Sequence, residues 1–200
     1  MVTLIDYGAG NVTSVARALR SLGAEVQLTN QPEEISTAST LILPGVGHCA
    51  ALLGSLDTHS LREPLRNALA RGTPFLGICL GLQALYQSSA EASEIPGLGV
   101  LPGRVNLLPQ NVKLPHMGWN QLRRLRACQL LDGISPEAYF YFAHSYAAPA
   151  GAPETAASCE HGCEFTAVLE RNRIFGVQFH PEKSGAPGAK LLENFLRIAA

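Results

Sequence analysis

Thr73-Pro-Phe-Leu-Gly-Ile-Cys-Leu-Gly-Leu-Gln-Ala-Leu-Tyr86 is the stretch on which the reading of this 200-residue chain turns. Phe75 to Ile78 is a short apolar run of the kind buried on both faces of a parallel sheet. From Leu80 onward, Leu82, Leu85 and Tyr86 recur at helical spacing. Cys79 therefore stands at a predicted strand-to-helix turn, with Gly77 and Gly81 placed symmetrically about it. Small neighbours let a strained residue present its side chain above the sheet, as in the Gly-x-nucleophile-x-Gly elbow. In such a turn the N–H groups and dipole of the following helix favour a thiolate, and the Leu80 N–H can face an oxyanion. A free cysteine is by default a small buried hydrophobe. The two glycines and the change of element at the residue tip the balance toward a nucleophile.

Outward from this turn the elements alternate. Val2 to Tyr7, Glu25 to Thr29 and Thr40 to Leu43 predict strands, and Val12, Val15, Ala16, Leu19 and Leu22 form one face of a helix. Asn11 can cap that helix and Gly23 can end it. Helical segments near Ala50 to Leu56 and Leu61 to Ala70 lead back to the cysteine strand. The alternation implies right-handed crossovers and an α/β fold with a mostly parallel sheet covered on both faces. Gly8-Ala9-Gly10-Asn11 reads as a tight turn and not as a dinucleotide fingerprint. Thr13 stands where a third glycine belongs, and no acidic residue closes the second strand near Thr29.

After Tyr86 the texture changes. Gln87 to Gly103, rich in Ser, Glu, Pro and Gly, reads as a loop. Short strands are predicted at Arg104 to Leu108, Ala138 to Tyr146, Thr155 to Cys159, Phe165 to Glu170 and Ile174 to Phe179, forming an antiparallel extension at the sheet edge. Lys190 to Ala199, with Leu191, Leu192, Phe195 and Leu196 on one side, closes the chain as a helix. No repeat, linker or low-complexity segment divides residues 1–200, which are read as one domain.

The composition, 46% hydrophobic with a formal net charge of -1, supports a buried core and gives no electrostatic reason to expect nucleic acid. No apolar run approaches the roughly 18 residues that span a bilayer, and Val2 to Tyr7 is no signal-peptide core. A cytoplasmic protein is expected. The five cysteines, at 49, 79, 128, 159 and 163, are odd in number and scattered, which fits reduced thiols. Cys159, His161 and Cys163 have no second ligand pair of matching spacing and are read as a surface loop, so no metal is expected.

A nucleophilic cysteine needs a base and a group that orients the base. Of six histidines, His180 is the one delivered at the end of an apolar strand, and Glu182 follows after a single proline. Residues two apart in an extended segment face the same side, so this carboxylate can hold the imidazole's tautomer, giving a Cys79-His180-Glu182 triad. Pro44-Gly45-Val46-Gly47 closes a neighbouring strand at the same sheet edge, where its N–H groups can meet a tetrahedral intermediate; on its own it is equally an ordinary turn.

Gly-Ile-Cys-Leu-Gly with Gln83, and Phe-His-Pro-Glu near the C-terminus, resemble the triad class of glutamine amidotransferases. Further segments narrow the resemblance: Asp6 to Asn11, Pro-Gly-Val-Gly-His at 44–48, Leu-Pro-His-Met-Gly-Trp-Asn at 114–120, Tyr-Phe-Ala-His-Ser-Tyr at 141–146 and His-Pro-Glu-Lys-Ser at 180–184. With them the chain is similar to the glutaminase subunits of imidazole glycerol phosphate synthase, over almost its whole length. The resemblance implies a flavodoxin-like sheet, no cofactor, and glutamine held by Gly45, Gly47, Leu80, Gln83, Ser145 and Tyr146. It also implies a heterodimer with a (β/α)8-barrel cyclase that docks near Trp119, Tyr141 and Lys183. Spacing alone would make Trp119 and Tyr141 core aromatics, Gln83 a polar residue on the elbow helix, and Ser145 and Tyr146 a strand end. Cys49, where phenylalanine is frequent in such subunits, is expected to affect packing only. Amidotransferase subunits serving anthranilate or pyridoxal phosphate synthesis would share the triad, but the His-Met-Gly-Trp-Asn and Phe-Ala-His-Ser-Tyr segments argue against them, and the complete triad argues against a non-catalytic scaffold.

Overall fold

The computed structural model describes residues 1–8 and 11–200, so the middle of the predicted turn at Gly8 to Asn11 lies outside the described residues. Its centre is an eight-stranded sheet in the order β2-β1-β3-β4-β13-β12-β11-β8. The first five strands are β1 (Val2–Ile5), β2 (Val26–Thr29), β3 (Leu41–Gly45), β4 (Phe75–Cys79) and β13 (Ile174–Val177), all parallel. β12 (Glu164–Arg171), β11 (Thr155–Glu160) and the two-residue β8 (Arg123–Arg124) continue it antiparallel. This is the flavodoxin-type order with the predicted antiparallel extension.

The parallel strands are buried on both faces because each feeds two cores. On one side α1 (Val12–Ser21) and α6 (Gly185–Ala199) pack Val15, Leu19, Leu191 and Phe195 against Leu4, Ile42, Leu76 and Phe175. On the other, α2 (Pro32–Thr37), α3 (Cys49–Thr58) and α4 (Arg62–Ala70) pack Ile35, Leu52, Leu56 and Leu65 against Leu41, Leu43 and Phe75. Gly23, with φ of 81°, ends α1 as predicted, its N–H returning to Arg20 O. Asn11 sits at the N-cap of α1 but makes no capping bond, because its side chain is engaged elsewhere.

Two expectations fail at Tyr86. The helix after Cys79, α5, is only Leu80–Gln83, and Tyr86 opens a strand, β5 (Tyr86–Ser89), paired with β6 (Leu101–Leu107). The Leu82, Leu85, Tyr86 spacing mimicked a helix because all three are buried, the first two beside the elbow and Tyr86 in a small sheet ordered β10-β6-β5, where β10 is Tyr146–Ala147. The predicted loop at Gln87 to Gly103 thus contains the rest of β5 and the start of β6. A four-residue helix also has little dipole to offer at its N-terminus. A ribbon of β7 (His116–Gln121) and β9 (Tyr139–His144), the first of which was not anticipated as a strand, lies beside the sheet edge.

Candidate active site

The parallel strands all deliver their C-terminal ends to one edge, and there Gly45 of β3 pairs directly with Cys79 of β4. Cys79 has φ of 54°, a left-handed conformation that costs a non-glycine residue about 1–3 kcal/mol and persists only where the surroundings impose it. They do so by contact of backbone on backbone. A Cβ on Gly81 would lie 1.8 Å from the Leu43 carbonyl oxygen, and one on Gly77 would lie 2.5 Å from the Gly81 backbone. The elbow predicted from two glycines is therefore present, and packing holds it.

β13 runs parallel to β4 with Val177 opposite Ile78, so the chain that continues past it carries His180 over the cysteine. His180 Nδ1 lies 2.9 Å from Glu182 Oε1, and both side chains are buried. The carboxylate only accepts, so Nδ1 carries the proton and Nε2 is left for the sulfur. Burial works against a charged His180, but hydrogen bonding to Cys79 and Glu182 overrides it and pushes the imidazole up to about 10. Burial likewise disfavours the Glu182 charge, yet His180 and Asn11 hold this carboxyl below its ordinary range. Asn11 Nδ2 donates to the same Oε1 at 2.9 Å, so the side chain expected to cap the helix instead ties down the Glu182 carboxylate. His144, the other histidine nearby, is driven down to about 3 by burial and by His116, and its Nδ1 faces Tyr146 O at 2.9 Å. A neutral ring so engaged is a poor rival as base.

Cys79 and His180 open onto a cavity of about 260 Å³ that is also lined by Gly47, Leu80, Gln83, Ser145 and Tyr146. Five of the six residues expected around glutamine thus converge on it. The sixth, Gly45, lies beneath, where a Cβ would come 2.5 Å from Leu80 Cβ; it acts by lacking a side chain. Gln83 is buried and turned inward: its Nε2 donates to Tyr146 O at 2.8 Å and to Gln178 Oε1 at 3.0 Å, while its Oε1 has no partner. Glu91 and Lys183 line the same cavity. Nothing in the sequence pattern marked Glu91, whose Oε2 accepts the Cys49 N–H at 3.0 Å. At the glycine-rich turn, the Val46 N–H donates to the Tyr7 hydroxyl at 3.3 Å and so is occupied in this conformation.

The β7–β9 ribbon borders the site. Its inner face buries His116, Phe140, Phe142 and His144, while Met117 and Trp119 on the outer face are 65% and 55% exposed. Trp119 pairs across the strands with Tyr141, ring centroids 5.9 Å apart, and Lys183 Nζ lies 5.8 Å from the Tyr141 ring. Trp119 is thus no core aromatic. The Tyr141 carbonyl accepts the His180 N–H at 2.9 Å, and its N–H donates to Ser184 Oγ, which donates in turn to His180 O.

Comparison with known proteins bears on the family and the fold. Residues 3–199 match the model of the family described as glutamine amidotransferase class-I. The chain is 46% identical over 198 residues to imidazole glycerol phosphate synthase subunit HisH of Methanothermobacter thermautotrophicus, covering 99% of this chain and 98% of that one. It is 46% identical to the subunit of the same name from Desulfitobacterium hafniense, covering 98% and 93%. Among solved structures, a glutamine amidotransferase superposes with a TM-score of 0.79 at 19% identity, covering 100% of this chain and 99% of the other. The PurLQS structure from Thermotoga maritima gives 0.77 at 18%, covering 100% and 98%, a likeness of fold.

Proposed function

This chain belongs to the class-I glutamine amidotransferases, and on that premise we propose that residues 1–200 form one glutaminase domain whose nucleophile, base and orienting acid are Cys79, His180 and Glu182. It is a glutaminase subunit of the imidazole glycerol phosphate synthase type, in histidine biosynthesis. It hydrolyses glutamine to glutamate and ammonia through a cysteine thioester. The ammonia goes to a cyclase partner that makes imidazole glycerol phosphate and an aminoimidazole carboxamide ribotide.

The observation that carries the residue assignment is the meeting of the strained Cys79 with the His180-Glu182 pair at one cavity. The sulfur attacks the side-chain amide carbon, and His180 gives a proton to the departing ammonia. Water activated by His180 then releases glutamate from the thioester. The Leu80 N–H and the turn at Val46 and Gly47 meet the oxyanion, which requires Val46 to release Tyr7. Gly47, Gln83, Ser145 and Tyr146 surround the substrate, over a floor made by Gly45 and Leu80. The free Oε1 of Gln83 suits a substrate N–H, and Glu91 is the lining carboxylate suited to the α-ammonium.

The partner is a (β/α)8-barrel cyclase bound as a heterodimer over Trp119, Tyr141 and Lys183, a reading supported by an exposed aromatic face continuous with the cavity wall through Lys183. Ammonia released into water would become ammonium, which is no nucleophile, so passage directly into the partner is required. Five free cysteines fit a reducing cytoplasm. Among the described residues no helix is long and apolar enough to cross a membrane, and the near-neutral charge favours neither membrane nor nucleic acid as partner.

The test is a glutaminase assay with and without the cyclase. Cys79→Ala should abolish turnover while Glu182→Gln retains a residue of it, because Glu182 touches the base and never the substrate. Equal losses in two folded variants would dissolve the assignment of roles.

A further inference from the structure

Gln178 is a polar residue on a buried strand continuation, fully inaccessible, and its neighbours Val177 and Phe179 are as deeply buried. A buried amide is costly unless its polar atoms find partners. Here the partners form a directed chain. Tyr146 O can only accept, so Gln83 must present its Nε2 to it at 2.8 Å. The second Gln83 N–H goes to Gln178 Oε1 at 3.0 Å, which leaves Gln178 Nε2 facing Cys79 Sγ at 3.6 Å. The polarity of a backbone carbonyl is thereby passed through two amides to the sulfur, and a donor is what arrives there.

We propose that Gln178 is a catalytic residue of this site: its Nε2–H donates to the Cys79 sulfur, holds it against rotation and stabilises its anion, with Gln83 fixing the direction of the amide. This rests on Cys79 being the nucleophile. It fits an elbow helix too short to supply a dipole, since the hydrogen bond takes over the stabilisation that a long helix would give. Gln83 then has two tasks, offering its free oxygen to substrate and orienting Gln178 with its nitrogen. The titratable groups around the sulfur are His180, backed by Glu182, from the segment after β13, and Tyr7 from the segment after β1. Glu91, His144 and Lys183 stand on the cavity wall. The Gln178 side chain bonds Gln83 and Cys79, and none of these groups.

The experiment is alkylation by iodoacetamide of the full-length chain from pH 5 to pH 10, followed at the Cys79 peptide by mass spectrometry. Gln178→Met keeps the shape without the donor. It should slow alkylation near pH 6 about tenfold, recover at alkaline pH, and so move the profile up by about one unit, the effect of one charge-assisted hydrogen bond. Gln178→Leu, which also lacks the donor, should move it by about the same amount. An unmoved profile, or a loss equal at every pH, overturns the proposal and leaves the glutaminase assignment standing, because alkylation needs neither glutamine nor partner. A wild-type Cys79 that reacts no faster than the exposed Cys163 overturns both. Should neither variant fold, the Gln178 side-chain N–H resonance of the unsubstituted chain decides: movement with pH that disappears in Cys79→Ala supports the proposal, and movement in both or in neither overturns it.

Discussion

The elbow around Cys79 and the β7–β9 ribbon lie side by side and are built on opposite terms. At the elbow the backbone segments touch so closely that even one methyl at Gly81 has no room, whereas the outer face of the ribbon leaves Trp119 and Met117 largely in solvent. The ribbon's inner face is buried like a core, so the two faces of one ribbon differ as sharply as the ribbon does from the elbow. On the proposed reading, chemistry that tolerates little misplacement sits where close packing fixes the backbone, and recognition falls to side chains that a partner can still cover. The two meet at Tyr141, whose N–H and carbonyl hold the Ser184-His180 turn while its ring stands beside Trp119 and Lys183.

This contrast is broken most severely by a methyl group. Gly81→Ala should cost at least about 4 kcal/mol of stability, because the clash is with a backbone carbonyl in the central sheet that has no room to retreat. Denaturant unfolding measures it, and a loss below about 1 kcal/mol would mean that the elbow is looser than described. On the ribbon the balance reverses. Trp119→Ala should change stability by less than about 1 kcal/mol yet weaken binding of the cyclase by about 2 kcal/mol or more, some thirtyfold in Kd. Calorimetric titration reads the second quantity, and unchanged affinity would move the interface elsewhere. The smallest effect sharpens the comparison from within the elbow. Tyr7→Phe removes the hydroxyl that accepts the Val46 N–H, and with it about 1 kcal/mol favouring the present orientation of that peptide. Partner-free glutaminase turnover should rise severalfold, and a fall would show that Tyr7 supports the productive turn.

The same contrast explains what could be read from the sequence. Strands buried on both faces are uniformly apolar, so Phe75 to Ile78 and Ile174 to Phe179 were legible, as were the glycines that a crowded turn requires. Strand β7 was hidden because Met117 and Trp119 point outward into solvent, which inverts the usual link between apolar character and burial. Asn11 was legible only as a cap, since nothing local reveals a bond to Glu182, 171 residues away. Gln178 did carry a signal, a lone amide amid buried apolar residues, whereas Glu91 sat unmarked in a polar stretch.

The central claim is that Cys79 serves only to release ammonia from glutamine, and the nitrogen source tests it most directly. In the assembled complex, Cys79→Ala removes one sulfur from a cavity that must already admit substrate, so neither fold nor interface should suffer. Glutamine-dependent synthesis should disappear, while synthesis from added ammonium salts at alkaline pH, where more of the neutral ammonia is present, should stay close to wild type. Comparable loss with both nitrogen sources, in a complex shown to be assembled, would mean that Cys79 supports the cyclase reaction or the interface, and would contradict the account.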